Sequence, residues 1–142
     1  MSRVIQTDTG KKERDRYLKA VVKALRLLMT EQEPGEKSND LVSFIALALY
    51  EVHETIDVSV RAWEKRDYWI KSDHYRMEWD WCQYYGRDLH MAILKNNWDL
   101  IIPLLIKIGQ KLQNIKMPQH DRLGTPWLGS WEVLKKRPIP KD

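Results

Sequence analysis

The chain has 142 residues, of which 43% are hydrophobic and 31% charged, with a formal net charge of +4; this balance belongs to a soluble globular chain and speaks against a disordered or membrane-embedded one. That length suits a single domain, burying roughly 70% of the surface its unfolded form exposes. The lone cysteine, Cys82, rules out an internal disulfide and a cysteine metal cluster within one chain, and the opening residues MSRVIQTDTGKKERDR lack an apolar signal core, so the expected location is cytoplasmic.

In chain order, a first helix is predicted from about Thr9 or Gly10 to Thr30, before the breakers Pro34 and Gly35. Leu18, Val21, Val22, Leu25, Leu28 and Met29 form its apolar face. Lys12, Arg16, Lys19, Lys23 and Arg26 form a basic stripe opposite. Residues 36–85 contain neither Gly nor Pro, and apolar residues recur there at helical spacing. A second helix is predicted from Ser38 or Asn39, with Leu41, Ile45, Ala48, Val52, Ile56 and Trp63 in one line. Unbroken to Lys95 it would run about 85 Å, too long for one compact domain. The break is therefore expected near Lys71, with Ser72 capping a third helix to Lys95. A fourth helix follows Asn97 or Asp99, burying Ile101, Leu105, Ile108, Leu112 and Ile115, with Pro103 in its first turn or at a kink. The rest, with four of the six prolines, reads as an extended arm laying Leu123, Trp127, Leu128 and Trp131 on the helices.

Seven Trp and six Tyr stand against a single Phe, and rings with a polar atom suit interfaces as well as cores. Many lie in YWIKSDHYRMEWDW, Tyr68 to Trp81. By helical angle His74, Met77, Trp81, Tyr84 and Tyr85 form the expected core stripe, while Tyr68, Tyr75 and Trp79 form a second aromatic face. Between them Trp69, Asp73, Arg76 and Asp80 make a line in which both aspartates reach Arg76, and His74 pairs with Glu78. The plain reading is a polar network serving a Trp-rich core. The sharper one is a ligand pocket or active site at Asp73, His74 and Arg76.

No metal or cofactor is expected. The residues three before His53, His74, His90 and His120 are Tyr50, Lys71, Arg87 and Met117, so the Glu-x-x-His signature of di-metal bundles is missing. A simpler site drawn from Glu51, His53, Glu54 and Asp57 reads instead as a solvated acidic face. Charge is uneven: residues 1–36 carry +2 (eight basic, six acidic), 37–60 carry −3 (one, four), 61–95 carry +1 (seven, six) and 96–142 carry +4 (eight, four). The basic stripe opens a weak nucleic-acid alternative, while membrane binding is not expected.

The reading is an all-α, four-helix bundle-like single domain over residues 1–116, with an extended Trp-containing arm over 117–142 ending in a basic segment. Its leading function is non-enzymatic: protein interaction or scaffolding, with self-association through Tyr68, Tyr75, Trp79, Trp127 and Trp131.

Overall fold

A computed structural model describes residues 2–31, 33–117 and 121–140, with backbone alone for 2–9. The described chain is all-helical: α1 (Ser2–Thr30), α2 (Glu36–Glu64), α3 (Trp69–Trp79), α4 (Trp81–Leu94), α5 (Trp98–Lys111) and α6 (Ser130–Lys136). They form a bundle around α2, which packs against α1, α3, α4 and α6, while α5 lies on α4 and touches α1 lightly.

The centrality of α2 follows from Leu41 to Tyr50, ten residues without a charge, of which all but Leu47 are buried. A helix apolar on every side must be surrounded. Ser38, one of the two expected caps, is instead buried two residues inside the helix, which begins after extended Gly35. The inward line of α1 is Leu18, Val21 and Ala24, whereas Met29, expected inside, is 84% exposed. Where α4 crosses α2, a Cβ on Gly86 would stand 3.3 Å from Tyr50 Cε1 and 3.4 Å from Leu49 Cβ, so a hydrogen at this position sets the close approach.

The long helical stretch breaks at 65–68 rather than near Lys71. Asp67 adopts φ 62°, Tyr68 N–H donates to Trp63 O at 3.0 Å, and Asp67 N–H donates to Glu64 O at 3.0 Å. This is a helix-ending Schellman pattern with aspartate in the left-handed position usually given to glycine. Asn96, at φ 50°, ends α4 the same way, with Asn97 N–H donating to Ala92 O at 3.0 Å. The expected third helix is two segments meeting at Asp80, and Pro103 lies in the second turn of α5, exposed.

The arm contains a helix as well as extended chain. Lys23 Nζ reaches Asp121 Oδ1 and Gly124 O, both at 2.9 Å, and lies 5.6 Å from the Trp127 ring centroid. Trp127 is buried, while Leu128, also expected against the helices, is 69% exposed. At the start of α6 the Asp40 carboxylate of α2 accepts Gly129 N–H (3.2 Å) and Trp131 N–H (3.0 Å). A side chain from another helix thus supplies the N-terminal cap. Leu134 is fully buried beneath α6.

Candidate docking surface

The sequence LIIPLLIKI of α5 has aliphatic residues on every face, but only one row is needed by the core. Ile101 and Ile108 are buried, with Leu112 just beyond the helix. Leu100, Ile102 and Ile106 are 52%, 53% and 58% exposed. On one side of α5 a groove of about 450 Å³ opens against α1. Leu25, Leu28 and Met29 line it from α1; Trp98, Ile102, Leu105, Ile106 and Gly109 line it from α5; Glu31, Glu33, Pro34 and Ser38 complete the lining. Apolar side chains left uncovered on neighbouring elements mark interaction sites in folded proteins.

The aromatic cluster lies elsewhere and is largely turned inward. Tyr75 meets Trp63 edge-on (centroids 4.9 Å, 71°), and Trp79 stacks on Trp81 (6.2 Å, 28°). Thus two rings of the face expected to serve self-association, Tyr75 and Trp79, are half-buried, Tyr75 against Trp63 of α2 and Arg14 of α1. His74, Met77 and Tyr84 of the expected core stripe are exposed instead. The inward line of α3 is Ser72, Tyr75 and Trp79, because large rings gain more from burial than His and Met, and Arg14 offers the tyrosine hydroxyl a donor. Tyr68 and Trp69 are 52% and 55% exposed at the α2–α3 tip. Of the arm's two expected interface rings, Trp127 is buried and Trp131 half-buried.

Arg76 draws its partners from α2 rather than from Asp73 and Asp80. Its Nη2 donates to Glu64 Oε2 at 3.1 Å and its Nη1 stands 3.6 Å from Asp57 Oδ1. Asp73, His74 and Glu78 face solvent and Asp80 is half-buried, so the pocket expected around Asp73, His74 and Arg76 is not assembled. On the basic stripe Lys12, Arg16, Lys19 and Arg26 are exposed, but Lys23 is half-buried under the arm, contrary to its expected place. Among the described residues no group of three or more His, Cys, Asp or Glu is placed to hold a metal, and no helix is long and apolar enough to cross a membrane.

Three polar groups that tie the helices together carry no motif in the sequence: two are buried and the third, Asp40, is half-buried. Arg14 is 5% exposed; it donates from Nε to Thr55 Oγ1 (3.2 Å), from Nη1 to Tyr75 Oη (2.7 Å), and from Nη2 to Thr55 O (3.3 Å) and Ser59 Oγ (3.1 Å). Its position one turn before Leu18 on the inward stripe was the available signal. His90 is fully buried between Tyr50 Oη (2.9 Å from Nδ1) and Leu134 O (3.2 Å from Nε2). The carbonyl can only accept, which assigns the proton to Nε2 and leaves Nδ1 to accept from Tyr50. Burial lowers the His90 pKa from its ordinary value, Arg137 lowers it further, and the bond to Leu134 works in the opposite sense. Burial also pushes the Tyr50 phenol up to about 12, against the pull of Arg137 and Arg87. Asp40 is the third. Cys82 is buried and its thiol is pushed well up by desolvation, so it is a poor nucleophile and packs as a small hydrophobe.

Compared with known protein families, curated proteins and solved structures, the chain matches none.

Proposed function

We propose that this is a non-enzymatic interaction or scaffold protein of the cytoplasm whose working surface is the α1–α5 groove, and that its occupant is an amphipathic helix presenting aliphatic side chains. The observation that carries this reading is the groove itself: a trough between two helices whose facing walls are Leu25, Leu28 and Met29 on one side and Trp98, Ile102, Leu105 and Ile106 on the other. Such a trough accepts the i, i+3, i+4 row of a third helix. The inward-facing aromatic cluster and the dispersed Asp73, His74 and Arg76 lend the catalytic alternative no support. The nucleic-acid alternative keeps Lys12, Arg16, Lys19 and Arg26 but loses Lys23 to the arm. The test is the double substitution Ile102→Lys/Ile106→Lys, both at half-exposed sites. Helix content is expected to stay at the wild-type level, while binding of a fluorescent leucine-rich probe helix weakens about tenfold or more. Equal probe binding by the two proteins would sink the reading.

A further inference from the structure

We propose that the turn joining α2 to α3 is a membrane-contact tip, which sets Tyr68, Trp69 and Ile70 into the headgroup region of an anionic bilayer while Lys65, Arg66 and Lys71 meet the lipid anions. This surface is separate from the α1–α5 groove, and the basic stripe of α1, for which no membrane contact is expected, plays no part in it. Tyr68, Trp69 and Ile70 are three consecutive large side chains that the bundle leaves exposed, Ile70 to 78%. They stand at the outer end of a helical hairpin. There α3 folds back along α2, with Ser72 Oγ 3.5 Å from Val60 O and Arg76 Nη2 3.1 Å from Glu64 Oε2. The tip is also held in shape by its own bonds: the left-handed turn at Asp67 fixes its path, and Ser72 Oγ donates to Tyr68 O at 2.9 Å. A backbone ordered in advance loses little freedom when its side chains enter a surface.

Charge selects the occupant. Arg61 and Glu64, just before the turn, are already engaged, by Asp57 at 2.6 Å and by Arg76. Lys65 and Arg66 are exposed and have no ion-pair partner among the described residues, and the exposed Lys71 holds its ammonium 4.4 Å from the Trp63 ring centroid. Within 65–71 these three cations face the single carboxylate of Asp67. Asp73 comes one turn after Trp69, about 6 Å further along α3. Together with His74 it separates Ile70 from the exposed Met77 on the same flank, which limits insertion to the tip. Trp and Tyr settle at the level of lipid headgroups because each joins an apolar body to one polar atom. Lys and Arg beside them reach the phosphates through their flexible stems, and the negative potential of an anionic leaflet draws them in. A nucleic acid would engage the cations and leave Ile70 in water. A protein would need a hollow cut to a protruding tip, whereas a bilayer interface yields to whatever enters it.

The test is cosedimentation of the full chain with phosphatidylcholine vesicles containing about 30% phosphatidylserine, beside vesicles of phosphatidylcholine alone. The wild type is expected to be half-bound at about 0.1–1 mM anionic lipid, the strength of a single anchoring signal, and to bind the neutral vesicles about tenfold more weakly. Trp69→Ser/Ile70→Ser and Lys65→Glu/Arg66→Glu should each weaken binding about tenfold or more, with circular dichroism unchanged because all these sites are exposed. Brominated lipid reports insertion directly: it should quench the tryptophan fluorescence of the wild type, and Trp69→Phe, which still binds, should lose most of that quenching. Failure of the wild type to bind at about 5 mM lipid overturns the inference. So does equal binding to the two kinds of vesicle, binding indifferent to both tip variants, or quenching that persists in Trp69→Phe. Lys12→Glu/Arg16→Glu on α1 controls for charge alone. If it removes as much binding as Lys65→Glu/Arg66→Glu, the contact is a general attraction of a basic chain and the tip has no special role.

Discussion

Replacing Arg14 by alanine tests how the interior accommodates a buried charge. The guanidinium makes four hydrogen bonds of 2.7–3.3 Å to neutral acceptors on Thr55, Ser59 and Tyr75. A bond from a charged donor contributes about 1.5–3 kcal/mol, so the gross gain is about 6–12 kcal/mol. Against it stands the desolvation of the guanidinium, which costs several kcal/mol even after relaxation. The aliphatic stem adds about 2 kcal/mol through its three methylenes. A net loss of about 3 kcal/mol for Arg14→Ala follows, which for a chain of this size lowers Tm by about 10 °C. Arg14→Met keeps most of the stem and removes the desolvation penalty, so it should lose only about half as much. Urea unfolding read by tryptophan fluorescence measures both, since Tyr75 lies against Trp63 and next to Trp79. If Arg14→Ala stays within about 0.5 kcal/mol of wild type, the bonds do not outweigh burial and the reasoning fails.

His90 makes stability depend on pH. Its folded pKa is depressed, chiefly by burial, so below the ordinary value of about 6.5 the unfolded chain binds a proton that the native state refuses. Its contribution is present in full above that pH and is lost as pH falls toward the lower folded value. Urea midpoints at several pH values between 8 and 5 should fall more steeply for wild type than for His90→Gln, and parallel curves would remove this role. Asp40→Ala deletes the acceptor for two N–H groups at the start of α6, at an expected cost of about 1–2 kcal/mol. Hydrogen exchange over residues 130–136 should accelerate well before the rest of the bundle is affected, because a seven-residue helix does not persist without docking; unchanged protection there would show that Leu134 and Trp127 suffice.

Periodicity carried most of the helical reading because a helix must repeat its apolar face, and the row Leu41, Ile45, Ala48, Val52 and Ile56 is buried as expected. The turn at 65–68 carries no glycine or proline signal, because aspartate takes the left-handed position there. That shift carried the orientation of α3 with it. Helical angle separates Tyr75 and Trp79 from His74 and Met77, yet cannot say which side meets α2. The surface now assigned to docking was hidden for a related reason. In LIIPLLI every direction around the axis is apolar, so the pattern could not name the row left outside.

The sequence by itself determined an all-helical chain, the apolar line of α2, a Trp-bearing arm, and the lack of a di-metal signature, because spacing and residue type are local properties. Only the tertiary structure decided that Lys23 holds the arm, that Arg76 pairs with α2, that Tyr75 and Trp79 of α3 turn inward and that α5 keeps an apolar flank uncovered. Each depends on the rotation of one helix about its axis relative to another, which packing between distant segments selects and no local pattern encodes.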